Sequence, residues 1–500
     1  LGGEFSTVHV LATQNITISG DAIFDGSVTT LQAGGDISIG AVVSVDDLVS
    51  TGGAITAASI AVESVDAMRD LTVQGGSLAA NSVHAGGQLR LMDVSSISNR
   101  DSTSSGDINF TPGPFSLEVG SIVSSGESIP ALTLNGGDAV SNIGNNNPGN
   151  GGFATINITN GNLTIGSGND LAGITANGGM FSTSSTGGGN GGTINITTSG
   201  DFSLNNGSIT ATSGLLSGDD ITPRGNGGTA NVTAGGAINV ASKIEVSSND
   251  PAPTPAAPPH RRSKQGGNIS LTSNKAGGDG RAVAINVTNS GQLLSLLNAA
   301  APGPGGKVVI RATGESSDLN VKGRVQADRG TVDIRHTGPS GVVNLDGRVP
   351  TNATGTDGLP PSSGTLDIRA DTVKVATLGT NGILKIGGGS ISADTTMQLY
   401  STGFNGEVQF IANVSLNGNS VKSIAGNAVT ILNNVAVNVT GPAANVYVNS
   451  NGQGVPNANY TGSGGNGSTT GQFTGSRANN PQPFANRPPL DPVGGSPTGH

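Results

Sequence analysis

The chain has no cysteine and no tryptophan, and only 3% of its 500 residues are aromatic. Without cysteine there are no thiolate metal sites, no thiol nucleophile and no disulfide staples. Charged residues make up 11%, where globular chains carry about 25%. That scarcity argues against an ordinary enzyme domain. No run approaches the ~18 apolar residues of a transmembrane helix. The chain opens at Leu1 with no basic-plus-apolar leader, so it reads as a processed product or a piece of something longer. Nucleic acid is excluded as a partner: the net charge is −10, and the basic stretch lacks interleaved aromatics.

Glycine and short apolar/polar alternations are what the chain has in quantity. There are 82 glycines and 24 prolines. Alternation such as Thr193-Ile194-Asn195-Ile196-Thr197 puts β-branched side chains on one face and polar ones on the other. A Ser-Val pair recurs at Ser27, Ser44, Ser64 and Ser82, in steps of 17, 20 and 18. Glycine pairs punctuate the same region at Gly34-Gly35, Gly52-Gly53, Gly75-Gly76 and Gly86-Gly87. Further on, a Gly-Gly-plus-strand phrase opens at Gly151, Gly191, Gly227, Gly266 and Gly305, at intervals of 40, 36, 39 and 39. Half of each interval is close to the N-terminal step, so two coils per phrase are expected. Looser copies follow at Gly330, Gly364 and Gly406.

A short period built from one strand-like phrase means stacked, near-identical turns. The fold expected is therefore all-β: a right-handed, single-stranded parallel β-helix (β-solenoid) with one short helix insertion and an extended C-terminal tail. It should hold about two dozen coils at most and extend about 100 Å at ~4.8 Å per coil. Residues 1–93 read as regular N-terminal coils and 94–150 as coils with long loops. Residues 151–450 form the main β-helix, interrupted by a Pro-rich loop over 251–264. Gly291 to Ala301 (GQLLSLLNAAA), with Ser290 as N-cap and Pro302 as stop, predicts a short helix over 290–301. Residues 451–500 read either as a tail without fixed structure or as an arm whose aromatics lie along a solenoid face, its own or a neighbour's.

Charge is uneven. Residues 1–150 hold 15 acidic and 3 basic side chains, while 261–348 hold 12 basic and 6 acidic. One reading is drift among solvated charges; the other is a polar rod whose acidic end attracts the basic zone of another copy or an anionic polymer. The residues assigned to assembly are Arg261, Arg262 and Lys264 in the basic zone and Tyr460, Phe473 and Phe484 in the tail.

Motifs with catalytic overtones occur singly, without their companions. Gly218-Asp219-Asp220 lacks the companion elements of a polygalacturonase, and paired carboxylates at fixed separation are not evident. Gly166-Ser167-Gly168-Asn169-Asp170 is one copy of a calcium-binding nonapeptide that needs tandem copies, so a turn is expected, with Asn169 or Asp170 left-handed. Gly187 to Gly192 lacks the Lys-Ser/Thr of a phosphate loop. The five histidines (His9, His84, His260, His336 and His500) are scattered, with surface positions as the default. No catalytic residue, metal or cofactor is therefore assigned. Asn195, Asn231, Asn268 and Asn286 recur in Asn-x-Ser/Thr triplets that fit stacked amide ladders or glycosylation acceptors.

The phrases at 190–213 and 225–248, and the ending at 457–489, resemble exoproteins of the filamentous haemagglutinin type. These are bacterial surface β-helices exported by two-partner secretion. The Asn-Pro-Asn-Gly-type motif of that family's secretion domain is absent from this chain. The resemblance implies a right-handed parallel β-helix, an extracellular or bacterial cell-surface location, and adhesion or surface-coat roles. The expectation is a non-enzymatic structural protein: a filament subunit or adhesin rod, homo-oligomeric by head-to-tail contact, with glycans or a neighbouring cell surface as further partners. The alternative is a polysaccharide-binding or polysaccharide-degrading β-helix.

Overall fold

A computed structural model of the chain describes residues 8–20, 22–23, 28–100, 114–125, 129–136, 149–166, 170–179, 188–214, 225–248, 265–278, 280–297, 305–347, 366–432, 435–442, 444–448, 471–475, 482–483 and 487–490. It is all-β, built from long parallel sheets in which each turn of chain pairs with the next, the arrangement of a β-solenoid. Two compact units are present. The first comprises Leu1–Lys275, Asn286–Val309 and Val325–Gly330; the second comprises Ala276–Ile285, Ile310–Arg324 and Thr331–His500.

In the first unit, in-register pairing lines up one apolar residue per turn. One column runs Leu31, Leu48, Val65, Val83, Leu117, Ile156, Ile196, Val232, Leu271. Another runs Val43, Ile60, Leu78, Ile97, Leu132, Ile174, Ile209, Ile244, Leu293. Every member of both is buried. Burying such side chains is worth roughly 1.5–3 kcal/mol each. The alternation in the sequence supplies these columns, because every second residue of a strand faces inward.

Turn length differs along the chain, and this corrects the expected coil count. At the N-terminus, Ile37 pairs with Ile55 and Ser64 with Ser82, one turn of 18 residues in each case. From residue 153 onward, Phe153 pairs with Thr193, Thr193 with Thr229, and Thr229 with Asn268. Each Gly-Gly phrase is thus one long coil, not two. One such coil carries Thr193–Thr198, Phe202–Leu204 and Ser208–Thr210. The Ser-Val repeat is only partly in register. Ser64 stacks on Ser82, but Ser44 pairs with Ala61, and Asp47 occupies the position below Ser64.

The helix expected over 290–301 is also corrected over its described part, which ends at residue 297. Gln292–Ser295 is a strand. Leu293 pairs with Ile244 and extends the second column, and Ser290 Oγ donates to the Ala241 carbonyl. A run apolar on every side suits a helix in isolation, but an open sheet edge beside Lys243–Glu245 decides otherwise. The Pro-rich loop 251–264 lies outside the described residues.

The second unit repeats the principle with other columns: Leu319, Val343, Leu384, Val408, Val429 on one sheet and Ile368, Ile391, Leu416, Val439 on another. Pairing continues past residue 450. Gly471–Gly475 pairs with Val435–Val439, and Gln482–Pro483 with Ala444–Val448. Part of the expected tail is therefore solenoid.

The corners explain the glycine pairs. An Asn or Asp side chain of one turn accepts the backbone N–H of the next. Asn15 takes Asp36 N, Asp36 takes Ala54 N, and Asp70 takes Gln88 N. Asn162 takes Asp201 N and Asp201 takes Ala237 N. Asn150, Asn190 and Asn226 form a third series ending on Gln265 N, with distances of 2.7–3.0 Å. A Cβ on Gly35, Gly53, Gly87, Gly200 or Gly236 would collide with the accepting Oδ1 below it. The strand-borne asparagines behave differently. Asn231 donates to Asn195 at 2.8 Å, but Asn268 stacks on Thr229 and Asn286 bonds to Asn239.

Replacing Asn190 by Ala removes the acceptor for Asn226 N–H, a loss of about 1 kcal/mol. Hydrogen exchange at the Asn226 amide should quicken about fivefold, with Asn190→Asp closer to wild type. Unchanged protection in Asn190→Ala would show that the corner bond carries no stability.

Candidate functional site

Of the six residues assigned to assembly, Arg261, Arg262, Lys264, Tyr460 and Phe484 lie outside the described residues. Phe473 lies in the strand Gly471–Gly475, where its backbone pairs with Val437. The site the structure does assemble sits on the second unit and was not anticipated from these residues.

Three adjacent strands there expose a common outer row. Ala376 pairs with Tyr400 and Tyr400 with Ala425, while Val375, Leu399 and Ile424 point inward. Outward residues are ordinarily solvated, yet Ala376, Tyr400 and Ala425 are fully buried. Residues 487–490 cover them. Tyr400 Oη donates to the Pro488 carbonyl at 3.0 Å, and Gln398 Nε2 donates to the Pro489 carbonyl at 3.2 Å. Leu490 and Leu378 pack against the same three side chains. The two alanines leave room for the phenol between them. Gln398 and Tyr400, two residues apart on one strand, share a face and meet consecutive carbonyls. The signal in the sequence was Gln398 and Tyr400 alternating with the inward Met397 and Leu399, with an Arg-Pro-Pro-Leu segment far downstream.

A second polar cluster lies inside this unit at a turn. His336 and Ser317 are fully buried, with His336 Nε2 2.9 Å from Ser317 Oγ. Ser317 Oγ also donates to the Gly314 carbonyl at 2.9 Å, so the hydroxyl ties the ring to the turn. Arg281 clamps the outside of the same turn, its Nε 2.8 Å from Asp318 and its Nη1 3.1 Å from the Ser340 carbonyl. Burial pushes the His336 pKa down to about 4, against opposing help from the Asp318 charge. The surface placement expected of the histidines fails here, because an inward position at the turn takes the ring. His84, by contrast, is exposed, its Nδ1 2.7 Å from Asp66 Oδ1 one turn away.

Two further side chains are spent on backbone. Lys422 is fully buried, and its ammonium donates to the carbonyls of Gly418, Ser420 and Pro442 at 3.0–3.4 Å. Burial lowers its pKa. Asp170, its pKa raised by burial, accepts Thr164 N–H and closes the turn after Ile165. Among the described residues of that turn Gly166 has a positive φ and Asp170 does not. Asn169, Asp219 and Asp220 lie outside the described residues.

Among the described residues, no group of three or more His, Asp or Glu side chains could hold a metal ion. None of their helices is long and apolar enough to cross a membrane. No family model, curated protein or solved structure matches the chain.

The His336 pKa is depressed in the fold relative to about 6.5 in the unfolded chain. The unfolded chain therefore binds more protons between pH 6.5 and 4, and stability is full above 6.5 and falls toward 4. The loss is about 3 kcal/mol. Thermal unfolding followed from pH 7 to 4 should show it, and His336→Gln should flatten that slope. An equally steep slope in His336→Gln would assign the acid sensitivity to other groups.

Proposed function

We propose that this chain is a non-enzymatic extracellular structural protein, a subunit of a bacterial surface filament or the rod of an adhesin. In this reading it is a right-handed parallel β-helix that joins other copies through its solenoid ends, its C-terminal segment, or both. The resemblance of residues 190–213 and 225–248 to filamentous haemagglutinin-type exoproteins supports the surface location.

The observation that carries the reading is how the polar side chains are used. Asn15, Asp36, Asp70, Asn162, Asp201, Asn150, Asn190 and Asn226 each satisfy a backbone N–H of the following turn. Their chemistry goes into holding one turn on the next. A terminal turn presents unpaired backbone groups, and such an edge is a template for adding another chain.

Negative-stain microscopy of the purified full-length chain at rising concentration tests this. End-joined particles are expected, with fewer and shorter ones after removal of residues 451–500. Separate single particles at every concentration would sink the filament reading. Equal assembly of the shortened chain would remove the tail from the mechanism.

One observation favours the polysaccharide-binding alternative. Phe404 is 81% exposed at a turn where Asn405 Nδ2 donates to Asn381 Oδ1 at 2.8 Å. An exposed ring beside a row of amides can stack on a sugar face and bond its hydroxyls. On a glycan array, this reading predicts binding that Phe404→Ala lowers about tenfold. Signal that is absent, or unchanged in Phe404→Ala, removes it.

A further inference from the structure

We propose that the outer face formed by Ala376, Gln398, Tyr400 and Ala425 is a receptor for an extended proline-rich segment. Residues 487–490 of the chain are its resident occupant, and the same segment of a second copy is its exchange partner.

The face has the chemistry such a ligand needs. Proline has no N–H, so an Arg-Pro-Pro-Leu stretch cannot join a sheet as a central strand. Its carbonyls remain acceptors, and outward side-chain donors can hold them. Gln398 and Tyr400 supply two such donors at the two-residue spacing of one strand face, meeting Pro489 and Pro488 in turn. The tyrosine ring, flanked in register by Ala376 and Ala425, forms the floor on which a proline segment lies. Leu490 adds an apolar anchor beside Leu378. Pro489 itself is exposed, and the other three residues of the segment are only half-buried. The segment lies on the outside of a stack already closed by its own columns, so it can leave without unfolding the unit beneath it.

A second copy carries an identical segment. Exchange therefore needs no new contact, only release of the resident one. In naming a second copy as donor, the proposal deepens the assembly reading; the peptide site itself stands whether or not particles join.

The test uses the full chain and a fluorescent synthetic peptide spanning residues 484–493. In Leu490→Asp the resident segment loses its anchor, and the vacated face should bind the peptide. Wild type should bind at least about tenfold more weakly, because its own segment competes. Adding Tyr400→Phe keeps the ring and removes one hydrogen bond, with about a fivefold loss expected; adding Tyr400→Ala should abolish binding. Circular dichroism confirms that each variant keeps its strands, and Tyr400→Phe decides the matter if Tyr400→Ala does not fold. No binding to folded Leu490→Asp overturns the proposal, as does binding that is indifferent to both Tyr400 substitutions or equal in wild type. Peptide binding without end-joined particles would retain this site and reject the filament reading. End-joined particles without peptide binding would do the reverse.

Discussion

In-register stacking of one aliphatic side chain above another is the constraint from which the rest of the structure follows. The column from Leu31 to Leu271 and the column from Val43 to Leu293 each keep a single inward position through nine successive turns. A slip of one residue in any strand would turn its apolar set outward. Register is therefore strongly specified, while the length of chain between strands is not. Turns of 18 residues and of about twice that length follow one another on the same columns. Each turn relies on its neighbours alone, so the stack tolerates this variation.

Close stacking creates a second demand at the corners. Where strands end, backbone N–H groups lose their ladder partners and must find others. The side-chain oxygen of Asn or Asp, one turn below, meets that need, and glycine makes room for it. The pairing of Gly236 with Asp201, and of Gly200 with Asn162, shows the two residue types acting as one device. Gly75 and Gly76 serve differently, both having positive φ at a corner of another kind. At the described corners glycine reflects contact between turns.

This division explains what could be read from the sequence. The alternation at Ile194 and Ile196 revealed strands and their inward face, and periodic glycines revealed stacking. The coil count was not legible, because an interval near twice the N-terminal step has the same appearance whether it holds two turns or one long one. Leu293 and Leu294 were misread because apolar residues on adjacent positions satisfy a helix and a covered strand alike. The corner asparagines stand in the GNGG phrases at Asn150, Asn190 and Asn226, but the Asn-x-Ser/Thr setting of Asn195, Asn231, Asn268 and Asn286 is the more conspicuous pattern. His336 gave no local sign of burial, since its partner Ser317 lies nineteen residues earlier.

The outer face around Tyr400 follows from the same rules carried to the end of the stack. Gln482–Pro483 is the last paired segment described, and the prolines that follow it cannot donate to another ladder. A chain in that state has acceptors but few donors, and outward side chains with N–H and O–H groups can hold it. Most outward rows of a solenoid carry short polar residues suited to water. The row through Ala376, Tyr400 and Ala425 is instead apolar, with a phenol at its centre and a carboxamide beside it. Left open, that row would present a ring and two methyl groups to solvent. Covered by a segment with two consecutive carbonyls, it becomes a satisfied contact. The identity of these three outward residues fits the proline-rich segment lying across them.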